Sequence, residues 1–289
     1  MLKKIFCVDI GGTKTAFACF DEQGNELFYD LFETRPNEGA ISLVNRVYDR
    51  VKSVVNDVSF GVIASPGPLN TATGDIVYIA TMGWKNVPIV KLFEEKFGFS
   101  FSLLNDCDAG GLGVWKFGGF AEYKNLCYMS ISTGIGGGGI VNGRLLTGKG
   151  NGANFGHIPV PGEGLQCGCG NVDCLELYAS GSGMENRYQA RTGERLACAE
   201  IATRARAGDK IALEIFETAS EKLVFALRAV VATLDPEIVV LGGSVCKSKE
   251  LFLPKVQKML PDLEIDYARE DGKQVIFGAY VYGRLKNNL

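Results

Sequence analysis

The sequence predicts two α/β domains, and three observations carry that expectation. Each half of the chain opens with a short apolar strand running into glycines, continues with further strands and then turns helical. Glycine-rich turns follow apolar strands at DIGGTKT (9–15), STGIGGGG (132–139) and LGGS (241–244). The length of 289 residues suits one large or two medium domains. The halves share this order without enough common residues to form a sequence repeat. Two α/β domains of this kind are expected to face one cleft, with the active site between them.

The elements follow in order. KIFCVD is a short apolar strand, KTAFACF alternates and ends at the turn DEQGN, and ELFYDLF follows. Residues 40–55 carry apolar groups at helical spacing, from Ile41 through Val44, Val47 and Val51 to Val54 and Val55. SFGVIA reads as a buried strand ended by SPGP, VPIVKLFEEKFG as a helix stopped by glycine, and SFSLLND as a strand with a polar end. The glycine-rich run GGLGVWKFGG, near residues 110–120, reads as a boundary. A second series then begins with NLCYMSISTGIGGGGIVNGRLLTG, read as strand, glycine loop, strand, turn and strand. A long amphipathic helix over 211–234 and the strand IVVLGG complete it.

Composition excludes several functions. The chain is 46% hydrophobic and 22% charged, with a net charge of −3 and the two signs interspersed. No basic tract points to nucleic acid. No segment reaches the ~20 apolar residues of a membrane helix, since LVFALRAVVATL is interrupted by Arg228. The first apolar run ends at Asp9, too soon for a signal peptide. A cytoplasmic location is therefore expected. Thiols stay reduced there, so clustered cysteines suggest metal or catalysis rather than disulfides.

The glycine turns could hold phosphates. Without a Cβ, backbone N–H groups can surround an anion. Around Gly11 and Gly12, around Gly134 and Gly136, and at Gly242 and Gly243, the candidate loops add Thr13, Lys14 and Thr133 as polar groups. Asp9 could hold Mg²⁺ through water. For any one loop, an ordinary tight turn explains the residues equally well. None is a P-loop. GIGGGG has the letters of a dinucleotide fingerprint, but the following IVNGRLL reads as strand, which argues against a dehydrogenase.

Three of the nine cysteines fall within eight positions, and the chain's only histidine lies just upstream. The spacing H-x9-C-x-C-x4-C places His157, Cys167, Cys169 and Cys174 as a Cys3His set suited to tetrahedral Zn²⁺. Gly168 and Gly170 let the chain turn tightly enough for Cys167 and Cys169 to reach one ion. The alternative is a reduced cysteine cluster without metal. Such a zinc has no open position, so its role is to pin the loop that carries Asn154 and Glu176. With His157 on zinc, no histidine remains as general base, and a carboxylate can serve in a phosphoryl transfer to a hydroxyl. Asp106 sits in LLND beside Asn105, at the end of a predicted strand. The bland reading of that pair is a turn or helix N-cap, with Asp108 assigned as a cap.

The ordered set DIGGTK, SPGP, LLNDCDAGGLGVW, STGIGGGGIVNGRLLTG, GHIPV…CGCGNVDCLE and VVLGGSV resembles the ROK family (repressors, open reading frames, sugar kinases). The resemblance implies a two-domain, actin-like and hexokinase-like ATPase fold of the ribonuclease H-like class, with a structural zinc site. It implies a first domain over 1–115, joined by a C-terminal helix at about 275–289, and a second over 116–274. ATP with Mg²⁺, a sugar in the hinge and often a homodimer follow from it. It makes Asp106 the base for a sugar 6-hydroxyl. Asn105, Asn154, His157, Glu176, Gly67 and Thr81 become sugar-side residues.

Three positions depart from the family pattern. Asn154 in NFGH stands where a glutamate is usual, Thr81 where an asparagine is usual, and Asp173 where a glycine is usual. The first two put plain glucose in doubt more than kinase activity. Asp tolerates a left-handed conformation, so the zinc loop can survive the third. The expected function is an ATP-dependent 6-kinase acting on a hexose or an N-acylhexosamine. A sugar-responsive repressor is disfavoured because the chain enters its first strand by residue 4, without a helix-turn-helix ahead of it. A silent sugar sensor is disfavoured by the set Asp9, Asn105, Asp106 and Thr133.

Overall fold

β1 (Lys4–Ile10) is apolar enough to be buried on both faces, and the glycines at 11 and 12 turn it straight into β2 (Lys14–Phe20). β3 (Glu26–Glu33) follows as an antiparallel neighbour with a more exposed face. The protein is described here by a computed structural model that covers residues 4–269 and 272–287. α1 (Gly39–Val51) buries Leu43, Val44, Val47 and Val51 at helical spacing. Val54 and Val55, expected in this helix, lie beyond it, where both their N–H groups bond to the carbonyl of Val51 and close a turn. β4 (Val58–Ser65) is parallel to β1. A small sheet of β5 (Leu69–Asn70), β6 (Asp75–Ile79) and β7 (Trp84–Val87) comes next. α2 (Ile89–Phe97) then ends at the left-handed Gly98, and β8 (Ser100–Asn105) returns parallel to β4. The main sheet thus runs β3-β2-β1-β4-β8.

α3 (Asp106–Phe117) starts directly at the end of β8. The glycine-rich run read as a boundary is the body of this helix, and Gly110, Gly111 and Gly113 are buried in it.

The second series repeats the strand order. β9 (Leu126–Ile131) pairs antiparallel with β10 (Ile135–Val141), and β11 (Arg144–Leu145) extends the edge. The short α4 (Glu176–Ala179) leads into α5 (Gly181–Thr192) and α6 (Cys198–Arg206). α7 (Lys210–Leu234) is capped by the Asp209 carboxylate, which accepts from the Ala212 N–H at 2.9 Å. β12 (Ile238–Gly242), α8 (Leu253–Met259) and β13 (Ile265–Tyr267) follow. This sheet is ordered β11-β10-β9-β12-β13, again an antiparallel hairpin followed by parallel strands. The last described element is α9 (Gln274–Lys286).

The chain packs as two units. The first takes the residues up to Ala121, the segment Leu145–Gly152 and α9; the second takes Glu122–Arg144 and the residues from Ala153 onward to the start of the C-terminal stretch. Segment 145–152 therefore packs with the first unit, although it lies within 116–274. The first core gathers Phe6, Phe17, Phe93 and Phe101 with the buried face of α1. The second gathers α7 with β9, β12 and the buried Tyr178 and Tyr188.

The glycines of α3 let two helices nearly touch. A Cβ on Gly113 would lie 1.9 Å from the Gln274 carbonyl oxygen, and one on Gly278 would lie 1.6 Å from that of Ala109. Gly278→Ala should therefore destabilise the protein by about 1–3 kcal/mol or more, the usual cost of overpacking. The measured quantity is the thermal midpoint, and an unchanged midpoint would contradict so close a crossing.

Candidate active site

In the first unit the site residues collect at the carboxyl ends of parallel strands, where open α/β sheets place ligands. Asp9 is in register with Ala64, and the adjoining positions Ser65 and Asn105 pair one residue further on. The β1–β2 turn is closed by the Gly11 N–H donating to the Lys14 carbonyl at 2.9 Å and by the Thr34 hydroxyl donating to the Gly11 carbonyl at 2.6 Å. Thr13 and Lys14 are exposed at its tip. Thr81 lies against this turn, its Oγ1 3.4 Å from where a Cβ on Gly12 would sit. Gly67 lies beside the side chain of Asn151, a residue the sequence reading did not single out.

Asn105 is the N-cap of α3. Its Oδ1 accepts from the N–H of Cys107 at 2.9 Å and of Asp108 at 3.3 Å. The helix-cap reading of this pair holds for Asn105, and Asp106 opens the helix at the strand end. The assignment of Asp108 as a cap is corrected. It lies inside the first turn of α3, is 1% exposed, and its Oδ1 has no hydrogen-bond partner. The chain direction leaves Asn105 to meet the free N–H groups, so Asp108 is turned inward.

Three carboxyl groups share this neighbourhood. Burial first, and then the charge of Asp106, push Asp9 up to about 7 and Asp108 up to about 8. Burial also raises Asp106 itself, opposed by the Cys107 N–H that donates to its Oδ1 at 2.9 Å. A raised carboxyl stays protonated over part of the neutral range, and a cation nearby would favour its ionised form.

In the second unit the loop after β9 rests on the start of α5. The Gly181 N–H donates to the Ser132 carbonyl at 2.7 Å and the Ser182 N–H to that of Thr133 at 3.1 Å. Thr133 is exposed at the loop tip. The Ser132 and Ser244 hydroxyls, 3.1 Å apart, join this loop to the one after β12. Gly243 has φ 92° and a Cβ on it would lie 2.3 Å from the Ile131 carbonyl oxygen, so the turn after Gly242 admits only glycine. Glu176 is drawn under the first of these loops: its Oε2 accepts from the Ile135 N–H at 2.9 Å. Gly134 and Gly136 flank that contact.

The cysteine–histidine loop is built from short bridges and a one-turn helix. The one-turn helix 155–157 carries His157, whose N–H donates to the carbonyl of Asn154. Asn154 itself is exposed. Pro159 bridges to Cys174, and Gln166 to Val172. The donor atoms of His157, Cys167, Cys169 and Cys174 all lie within 4.8 Å of one another. Cys169 Sγ is 3.6 Å from Cys174 Sγ, and Cys167 Sγ is 3.7 Å from His157 Nδ1. A tetrahedral zinc with bonds of about 2.0–2.3 Å needs edges of roughly 3.5–3.8 Å, so the group fits that ion. Nδ1 faces the thiols, which leaves Nε2 for another partner.

Asp173 takes φ 54°, the left-handed conformation expected for it. Its carboxylate accepts from the N–H groups of Glu163, Gly164 and Leu165 and from the Tyr178 hydroxyl, which ties the loop down. No sequence spacing announces these contacts.

Comparison with known proteins completes the picture. Residues 5–278 match the model of the ROK family. A glucokinase of Streptomyces coelicolor is 30% identical over 275 residues, covering 87% of this chain and 85% of that protein. An N-acetyl-D-glucosamine kinase of Pasteurella multocida is 30% identical over 267 residues, covering 86% of each. Among solved structures, a ROK family glucokinase from Streptomyces griseus in complex with glucose and AMPPNP aligns with a TM-score of 0.78 and 27% identity, over 98% of this chain and 99% of that one. No helix among the described residues is long and apolar enough to cross a membrane. With its glycine loops at the carboxyl edges of two like-ordered sheets, its Asn–Asp helix start and its Cys3His cluster, the chain belongs to the ROK family.

Proposed function

We propose that this protein transfers the γ-phosphoryl group of ATP to the 6-hydroxyl of a hexose or an N-acylhexosamine. The observation that carries the reading is the placement of Asp106 on the same carboxyl edge as Asp9 and the β1–β2 glycine turn, close enough for its charge to raise Asp9. The relatives that phosphorylate glucose or N-acetyl-D-glucosamine support it.

Asp106 takes the proton of the attacking hydroxyl. Asn105 has its carbonyl oxygen committed to the N–H groups of α3, so its amide nitrogen is turned out as a donor to a sugar hydroxyl. Glu176 keeps one oxygen on Ile135 and offers the other. His157 offers Nε2. Thr13, Lys14, Thr133 and the glycine N–H groups hold the nucleotide phosphates. Magnesium carried by ATP supplies charge neutralisation of the transferring group, and Asp9 is the residue that would hold it through water. Zinc, when bound, supplies bonds that fix the loop bearing His157 and Asn154. None of the nine cysteines is in a disulfide, which fits a reducing compartment such as the cytoplasm.

An ATP-coupled assay over glucose, mannose, N-acetylglucosamine and N-acetylmannosamine tests the reading. ATP-dependent formation of a sugar 6-phosphate from at least one of them is expected. Sugar binding with no turnover on any would favour a sensor instead.

Asn154 is the expected reader of the substrate. A carboxylate accepts hydroxyl protons only, whereas an amide both accepts and donates. Asn154→Glu should shift the relative kcat/KM of at least two of these sugars by roughly tenfold or more, given ~1–3 kcal/mol for a buried hydrogen bond made or left unpaired. KM for ATP should change little. An unaltered ranking in a folded, zinc-loaded variant would remove residue 154 from the specificity determinants.

A further inference from the structure

Asp173 stands where three segments of the cysteine–histidine loop converge. Its N–H donates to the Leu165 carbonyl at 2.8 Å, and its carbonyl accepts from the Val160 N–H at 2.9 Å. Three successive N–H groups, of Glu163, Gly164 and Leu165, converge on its carboxylate at 2.8–3.2 Å. Successive N–H groups aimed at one point form an anion-binding concavity. Here the chain supplies the anion itself.

The fourth donor carries the consequence. The Tyr178 hydroxyl donates to Asp173 Oδ1 and accepts from the Glu163 N–H at 2.9 Å. Tyr178 is wholly buried. The Arg187 guanidinium lies 4.8 Å from its ring centre and donates to Glu163 Oε1 at 2.9 Å. Asp173 and Tyr178 therefore bracket the stretch Cys174–Leu177, which holds a member of the Cys3His cluster and Glu176. Glu176 opens α4, and Tyr178 lies in the same single turn. The Glu176 side chain is fixed at its tip, where Oε2 accepts from the Ile135 N–H. The Asp173–Tyr178 bond fixes the backbone from which that side chain springs.

We propose that Asp173 and Tyr178 are positioning residues for the sugar, which set Glu176 through a fastener separate from the metal. The proposal rests on the reading of Glu176 as a sugar-side residue. Zinc, when bound, holds the Cys174 end of this stretch, and the carboxylate–hydroxyl pair ties that end to the Tyr178 end. A stretch held at both ends presents a fixed carboxylate to a sugar hydroxyl. One released at an end must be ordered by the sugar itself, at a cost to affinity. Once the sugar is bound, Asp106 and the phosphate loops are unaffected, so the effect belongs to KM for the sugar and not to kcat.

Asp173→Gly is the test. Glycine keeps the left-handed backbone at residue 173 without strain, so the change removes the carboxylate and not the turn. KM for the preferred sugar should rise by about tenfold or more, the scale on which groups supporting a site act. The values of kcat and of KM for ATP should change little, and elemental analysis should find the same zinc content as in the wild type. Hydrogen exchange at the amides of 163–165 should quicken. Asp173→Asn keeps Oδ1 as an acceptor and should recover part of the sugar affinity. Tyr178→Phe should raise the sugar KM by less than Asp173→Gly. If Asp173→Gly fails to fold, Tyr178→Phe carries the test with the same readouts. An unchanged sugar KM in both variants, a parallel rise in KM for ATP, or loss of zinc from Asp173→Gly would overturn the proposal. Should the wild type bind a sugar without phosphorylating it, the kinase reading falls. The dissociation constants for that sugar then decide this proposal in place of KM.

Discussion

Asp106→Asn is expected to lower kcat by about 10²–10⁴, the usual cost of removing a general base, while leaving nucleotide affinity nearly unchanged. The variant should fold, because the capping bonds of α3 come from Asn105 and an amide oxygen at 106 can still accept from the Cys107 N–H. The wild-type pH profile supplies a second readout. Burial raises the Asp106 carboxyl, so its base form is lost as pH falls from neutrality, and turnover should fall with it. The sign is that of any base that must be deprotonated, and the limb should be displaced upward from the ordinary carboxylate range. In Asp106→Asn the residual rate should lose the part of that limb owed to Asp106. Near-full turnover in the variant would place the base elsewhere.

Loss of the metal is the second large effect. The protein purified without chelators should carry about one zinc per chain. Cys174, wholly buried, and Cys167 hold the loop from the inside, and the strand-like bridge at Pro159–Cys174 runs through the same cluster. Removing zinc, or Cys174→Ala, should raise KM for the sugar by about 10–100-fold, the scale seen when groups supporting a metal site are lost. It should also lower the thermal midpoint, with KM for ATP less affected. Cys198→Ala, outside the cluster, is the control. Zinc-free protein by elemental analysis, together with an unmoved sugar KM in Cys174→Ala, would sink the structural-zinc reading.

Much of this was legible in the residues because it depends on local chemistry. Strand and helix periodicity located α1, α2, α7 and every strand of the two larger sheets except β13, since period-2 and period-3.6 patterns follow from which face is buried; the small sheet, α3, α4–α6 and α8 were not read from it. The spacing from His157 to Cys174 announced a four-ligand cluster because ligand reach is short and set by the intervening glycines. The left-handed φ of Asp173 was legible for the same reason, as a property of one residue in one turn.

Other features were decided only by tertiary structure. Gly110, Gly111 and Gly113 looked like a domain boundary because glycine marks chain breaks. They are buried helix, and at Gly113 glycine is required because α9, more than 150 residues away in sequence, approaches so closely that a Cβ has no room. The role of Asp108 could not be read from LLNDCD, since either carboxylate or the asparagine can cap a helix. The backbone at the junction of β8 and α3 gave the cap to Asn105 and left Asp108 buried inside the first turn of the helix. Glu176 on the Ile135 N–H, and Ser132 against Ser244, join loops 41 and 112 residues apart. The sequence by itself determined which residue types could do chemistry and which local turns they occupy. The tertiary structure decided which of them meet, because long-range packing sets the distances between side chains that no spacing along the chain encodes.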